Sequence, residues 1–349
     1  MAECPRQPPF IEIEGVWGGS GAAIRRAMRI LAALAALPLL TTFAPPSLYS
    51  GPVYPDRATI AFQAVPLDED DPARRRLGSL SYLGGWAISS NDPRFGGISA
   101  IHIEDGMVLA VSDAGSLIRF SLPGAGPASI DVRPLPDGPG SAGSKLDRDA
   151  EAMTVHEGRA WIGFEQRNAV WRYRLGDWRS DVATRPPAMR RWPSNGGSEA
   201  MVRLPDGRFL VFSEDRLRRD GTSEVLLFAG DPALAETPST SLGYRPPKGY
   251  RITDAALLPD GRLLFLNRRF RILEGVSAKL TVGPFPPASG DEPLGGAEIA
   301  HFEEPVTVDN MEALDVTRED GRTIVWVASD DNLNALQRTL LLKFALDAK

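Results

Sequence analysis

The chain has 349 residues, 43% of them hydrophobic and 24% charged, the proportions of a folded globular protein long enough for one large domain or two ordinary ones. Its formal net charge of -6 argues against a general nucleic-acid surface and leaves small ligands, metals and basic partners open. The lone cysteine, Cys4, excludes an intramolecular disulfide and a cysteine zinc site, and His102, His156 and His301 are too far apart in sequence for an H-E-x-x-H helix.

Arg25, Arg26 and Arg29 precede an uncharged, mostly apolar run of 14 residues, 30–43. The run is short for a membrane span and matches the apolar core of an export signal. We expect residues 1–44 to be an N-terminal extension and signal peptide, with Met28 as an alternative start, and the mature protein to be periplasmic or secreted. Membrane contact is expected only through this segment where it stays uncleaved. Residues 45–76 are Pro-rich, then acidic at 68–71, then basic at 74–76; they read as a linker or arm, with a strand at 58–65.

From residue 77 onward, short apolar, β-branched and aromatic segments alternate with Gly, Pro and Asp turns, without a long helical period. The segments recur as units. The first holds GGISAI, MVLAVSD and LIRFSL; the second DAEAMTV, RAWIGFE and AVWRYRL; the third GSEAMVRL, RFLVFSE and EVLLFAG. The fourth holds ITDAALL, RLLFLNR and FRILEG, and the fifth NMEALDV, TIVWVASD and TLLLKFAL. The residue before the small position of each first segment is Ser99, Glu151, Glu199, Asp254 and Glu312, at spacings of 52, 48, 55 and 58. A period of about fifty with about four short strands per unit is the pattern of propeller blades. The last unit has three strands of its own, so the strand at 80–88 is expected to complete the blade of 340–346 and close the ring. The expectation is an all-β propeller over 77–349 with five blades; a sixth stays open, because 58–65 and 276–302 have room for further strands. Trp161, Trp171 and Trp326 are expected to pack between blades.

The first strand of a blade lines the central channel, so Ser99, Glu151, Glu199, Asp254 and Glu312 would form one ring. Carboxylates converging on an axis have raised pKa values or hold a cation, and an all-oxygen set suits calcium or magnesium. A second ring follows at the ends of the second strands: Asp113, Glu165, Glu214, Asn267 and Asp330. Two positions further come Gly115, Arg167, Arg216, Arg269 and Asn332, where arginines can clamp an anion or pair with neighbouring acids. There is no G-x-S-x-G elbow and no P-loop.

The ordered motifs YLGGWAISSNDPRFGGISAI, VSDAG, DAEAM, NGGSEAM, DNMEAL and SDDN resemble the phytase-like domain of bacterial exported proteins described by an esterase-like activity of phytase. The resemblance covers residues 77–349, nearly the whole mature chain. It implies a β-propeller and a hydrolase acting on esters or phosphoesters. It also picks out Asp113, Asp149, Glu151, Glu199, Asp309, Glu312, Asp330 and Asp331 as site residues. Ser99 and Asp254 depart from the Glu-Ala pattern of the other units and weaken the symmetry of any metal ring.

The combined expectation is an exported, monomeric hydrolase of small anionic phosphate or carboxylate esters, assisted by a divalent cation, calcium first. Glu151, Glu199 and Glu312 are the expected catalytic residues, and Arg167, Arg216 and Arg269 the substrate-binding ones. The metal ligands would come from Asp254 together with the eight acids that the resemblance picks out. Two alternatives remain: a non-catalytic propeller binding a ligand or partner in the cell envelope, and a lactonase-type metal-dependent propeller.

Overall fold

Each sequence unit folds into one antiparallel sheet. The computed structural model describes residues 54–286, 292–334 and 336–347; the expected signal segment, Cys4 and the linker as far as residue 53 lie outside the described residues. Blade 1 is β4 (Ile98–Glu104), β5 (Met107–Ser112), β6 (Ser116–Ser121) and β7 (Ile130–Pro134). Blade 2 is β8 (Ala150–His156), β9 (Arg159–Phe164), β10 (Ala169–Arg174) and β11 (Ser180–Thr184). Blade 3 is β12 (Ser198–Arg203), β13 (Phe209–Leu217), β14 (Ser223–Phe228) and β15 (Ser239–Tyr244). Blade 4 is β16 (Arg251–Leu257), β17 (Leu263–Arg271), β18 (Gly275–Gly283) and β19 (Ala297–Phe302).

Blade 5 joins the two ends of the described chain. Its order is β20 (Asn310–Glu319), β21 (Arg322–Asp330), β22 (Thr339–Leu346), β3 (Leu80–Ser90) and β1 (Ile60–Ala64), with β2 (Arg76–Leu77) paired to β3. The pairing of β22 with β3 runs from Thr339 opposite Ile88 to Leu346 opposite Leu80, which is the closure expected from the sequence. The strand foreseen at 58–65 is β1, an extra edge strand of this blade, and the strands within 276–302 are the outer half of blade 4. Neither makes a sixth blade; the propeller has five.

The core is divided accordingly. Five clusters of buried side chains fill the five junctions between neighbouring blades. Trp161 and Trp326 are buried in two of them, and Trp171 packs against a third. A strand with apolar residues on both faces contributes to the junction on each side, which is why the inner strands read as near-continuous apolar runs. Among the described residues no helix is long and apolar enough to cross a membrane.

Part of the segment before β3 is fastened to the propeller. Leu67 is buried at the junction of blades 4 and 5, and Asp68, within the charged run, is buried as well. Its carboxylate accepts hydrogen bonds from the backbone N–H groups of Asp70 and Asp71 and from Arg74.

Closure by β3 makes a testable demand. A chain beginning at Asn91 leaves β22 as a bare apolar edge. Chemical unfolding and size-exclusion chromatography should show loss of the single cooperative transition and self-association. A monomer with an unchanged unfolding midpoint would contradict the closure.

Candidate functional site

The channel is lined by β4, β8, β12, β16 and β20, which contact one another in cyclic order. In blades 1, 2, 3 and 5 the first strand carries a β-bulge against its neighbour, at Ser99, Glu151, Glu199 and Glu312. The extra residue of a bulge is unpaired and its side chain is re-aimed. The next position is the small Ala100, Ala152, Ala200 or Ala313, each almost fully buried. The small-residue signal in the sequence thus marks the point where the strands crowd together, and the acid before it sits on the bulge.

Blade 4 differs by one residue. There the irregularity falls between Ile252 and Asp254, so the bulged residue is Thr253, and Asp254 takes the place of the alanines. Asp254 is therefore not a member of the ring. Its buried carboxylate accepts hydrogen bonds from the N–H groups of Ala255 and, in blade 5, Leu314, both at 2.7 Å. It fastens two blades together. Burial, opposed by these two amides, pushes its pKa well above the usual carboxylate range.

The same shift alters the second ring. Asn310 pairs with Asp330 in blade 5, and the residue that pairs in the equivalent way with Arg251 in blade 4 is Arg268. The second ring is therefore Asp113, Glu165, Glu214, Arg268 and Asp330, and Asn267 does not belong to it. Asn267 is fully buried and accepts a hydrogen bond from Tyr244 Oη at 2.7 Å. A guanidinium thus stands where the other four blades present acids.

Two sets of three carboxylates bring oxygen atoms within 4.8 Å of one another: Asp149, Glu151 and Glu165, and Glu165, Glu199 and Glu214. Glu165 belongs to both. Its Oε1 accepts hydrogen bonds from the N–H groups of Gly196 and, at 3.3 Å, Gly197. The glycine pair of the NGGSEAM motif has a physical cause here. Gly196 has φ +102, and a Cβ on Gly197 would lie 2.3 Å from Asn168 Oδ1, so larger residues would displace the amides that hold Glu165. Asp331 uses the corresponding turn of blade 1: its Oδ1 accepts from Gly97 N at 2.9 Å and its Oδ2 from Thr339 Oγ1 at 2.8 Å. Asp309 accepts from Asn310 N at 2.9 Å and Arg338 N at 3.1 Å. Asp309 and Asp331 are thus tied to the backbone around blade 5 and fall in neither triad.

The remaining acids have defined partners. Asp113 is held by Lys145, from the helical turn Lys145–Arg148, while its other oxygen is buried without a hydrogen bond. Asp330 accepts from Asn332 N at 2.6 Å. Glu312 faces Arg268, with Nε 3.1 Å from Oε1. Glu214 lies 3.6 Å from Arg251, which is anchored to Asp215 at 3.0 Å. Among the described residues, Glu151 and Glu199 make no hydrogen bond or ion pair.

Electrostatics follows from this crowding. Burial, then the charges of Glu199, Asp149 and Glu312, pushes the Glu151 carboxyl well above its usual range, and burial with the charges of Glu214 and Glu312 does the same to Glu199. Burial, opposed by the Gly196 amide, lifts Glu165 to about 7. Burial, opposed by Arg268, lifts Glu312 to about 8, and burial, opposed by the Asn332 amide, lifts Asp330 to about 7.

The arginines expected to bind substrate are engaged elsewhere. Arg167 pairs with Asp147, and Arg216 lies 3.8 Å from Glu224. Arg269 reaches Glu274 at 3.1 Å and covers the Tyr250 ring at 4.9 Å. All these partners lie outside both triads. The histidines also contact groups outside the triads: His102 lies 3.7 Å from Asp315, His156 3.4 Å from Glu157 and His301 3.0 Å from Tyr250 Oη. Glu165 and Glu214, placed in the second ring by sequence but not among the expected ligands, are central to the triads. Arg268 was not singled out at all.

The donor set fits a hard divalent cation: all oxygen, anionic, buried at Asp149, Glu165 and Glu199, half-buried at Glu151 and Glu214 and, at Glu151 and Glu199, free of competing hydrogen bonds. Asp149, Glu151, Glu165, Glu199 and Glu214 are the residues that can hold it.

A family model described as Phytase-like, esterase-like activity of phytase, matches residues 93–333. Comparison with curated proteins gives no match. Among solved structures, the chain is similar to Myxococcus xanthus glutaminyl cyclase, with 12% identity, TM-score 0.45, and 77% of this chain and 96% of that one covered. It is similar to the endo-arabinase from Bacteroides thetaiotaomicron VPI-5482, with 11% identity, TM-score 0.43, and coverage of 74% and 96%. At these levels the likenesses carry no inference about chemistry.

The raised carboxyls predict a pH signature. A carboxyl whose pKa rises on folding binds more protons in the folded than in the unfolded state. Its contribution to stability is complete below the ordinary carboxylate range and is lost as pH rises through about 7 for Glu165 and Asp330 and about 8 for Glu312. In chelator, the melting temperature should fall steadily from pH 5 to pH 8, and added calcium should restore it most at the alkaline end. Glu151→Gln and Glu199→Gln should flatten the decline and reduce the calcium effect. A melting temperature that rises over this range in chelator would contradict the electrostatics.

Proposed function

This chain belongs to the phytase-like family, and from that premise we propose that it is a metal-assisted hydrolase of phosphate or carboxylate esters acting at the propeller channel. The observation that carries the reading is the pair of carboxylate triads sharing Glu165. A divalent cation held there, calcium by the hardness of the donors, would polarise the ester oxygen and lower the pKa of a bound water.

The protein's own groups supply the rest. Gly196 and Gly197 fix Glu165 so that one carboxylate serves both triads. Glu151 and Glu199, without hydrogen bonds of their own and with their affinity for a proton raised by burial and by neighbouring acids, are the groups placed to act as the base. Glu312 shares that raised affinity for a proton but faces Arg268, which fixes its orientation. The basic and apolar pattern of residues 25–43 supports placing the activity in the periplasm or outside the cell.

The test is turnover by the purified chain of p-nitrophenyl phosphate and p-nitrophenyl acetate, with calcium, magnesium or manganese and with chelator. Hydrolysis of at least one substrate should need a divalent ion. Glu165→Gln should lower that activity by about a hundred-fold or more, in line with loss of a group that positions a catalytic ion. Activity undiminished in chelator would remove the metal from the reading, and no turnover with any ion would overturn it.

A further inference from the structure

Arg268 breaks the sequence of acids around the channel, and its donors are only partly used. A guanidinium has five N–H donors in a planar fork. One, on Nη1, goes to Asn310 Oδ1 at 2.7 Å. The Nε–H is buried and makes no hydrogen bond of good geometry, although Glu312 Oε1 lies 3.1 Å away. Nη2 is 3.9 Å from Glu214 Oε1, beyond hydrogen-bond reach. The group retains about a quarter of its side-chain exposure, while Glu312 and Glu214 beside it keep 12% and 11%. It is more accessible than either of these acids and has donors to spare.

Its neighbours explain why it stays charged there. Burial opposes its charge, but Glu312, Glu199, Glu214 and Asp330 hold its pKa above the ordinary range. Glu214 also belongs to the second triad, so Arg268 stands directly beside the expected cation site. Arg251, the cross-strand partner of Arg268, is largely exposed and turned toward Asp215 at 3.0 Å, with Glu214 at 3.6 Å. Arg167, Arg216 and Arg269 are engaged by acids elsewhere.

We infer that Arg268 is the residue that receives an oxyanion of the substrate, beside the second carboxylate triad, and so selects anionic esters over neutral ones. The inference deepens the hydrolase reading and rests on it for the identity of the site. Planar N–H donors beside a cation site match a phosphate or carboxylate oxygen pair, the geometry in which arginine binds most specifically.

The test reads binding rather than turnover. Inorganic phosphate and, in a parallel arm, acetate are titrated against the full chain in magnesium-containing buffer, with binding read from the rise in melting temperature. At least one anion should protect the wild type, and that anion identifies the ester class. Arg268→Gln should weaken its binding at least about ten-fold, as expected for loss of a charge-assisted bidentate contact. Glu312→Gln keeps the guanidinium and should leave binding within about three-fold. Because Arg268→Gln exposes Glu312 to unopposed repulsion, the double variant Arg268→Gln/Glu312→Gln is measured as well and should show the same loss. No protection of the wild type by either anion overturns the assignment. So does equal protection of wild type and double variant, or a ten-fold loss in Glu312→Gln alone, which would mark the pair as structural. Absence of ester turnover alongside Arg268-dependent protection would remove the hydrolase reading and leave the anion-binding role standing.

Discussion

Like charges brought onto a common axis are the constraint around which this propeller is arranged. Five inner strands meet at the channel, and the positions nearest the axis in three of them are glutamates. In a medium of low effective dielectric, neighbouring carboxylates cannot all be ionised without a proton or a cation among them. The fold could avoid this repulsion with neutral residues, as it does with Ser99 in blade 1. Instead it holds the acids in place with bulges, with the amides of the Gly196–Gly197 turn, and with a ring closed by β22 and β3. Such an arrangement sacrifices stability in the cation-free protein in exchange for a preorganised oxygen site.

The charge is not distributed evenly. The first triad comes from blade 2 and the second from blades 2 and 3, whereas blade 4 contributes Thr253 and Arg268 at the corresponding levels. Blade 5 lies between, with Glu312 facing Arg268. One side of the channel is therefore suited to a cation and the other to an anion. That polarity comes from the residues blade 4 carries at equivalent positions, Thr253 on the bulge and Arg268 on the second strand, since its bulge skips one residue as those of the other blades do.

Most of the architecture was legible in the sequence because it is repeated. The small residue after each inner acid, the Gly-rich turns and the apolar second strands fixed the period, and the unmatched segment before the first unit indicated how the ring closes. Glu151, Glu199 and Glu312 followed from the same repeat. Blade 4 was misread for a local reason. Thr253-Asp254-Ala255-Ala256 offers two small positions, and aligning Asp254 with the glutamates satisfied the chemistry but not the bulge. The run Leu263–Leu266, directly followed by Asn267, compounded the slip, since an amide looks more like an acid than the arginine after it does. Asp309 and Asp331 could not be separated from ligands by sequence, because their roles depend on backbone N–H groups brought near by chain folding, Gly97 lying 234 residues from Asp331. The partners of Arg167, Arg216 and Arg269 were equally invisible to spacing, although pairing with acids had been foreseen as one outcome.

Diffraction from crystals grown with calcium addresses the central claim most directly, because it reports the ion and its ligands at once. The expected result is a calcium ion with Glu165 among its ligands, joined by Asp149 and Glu151 or by Glu199 and Glu214, at oxygen distances of about 2.3–2.6 Å. A channel without calcium at saturating concentration, with Glu165 bound only to the amides of Gly196 and Gly197, would contradict it.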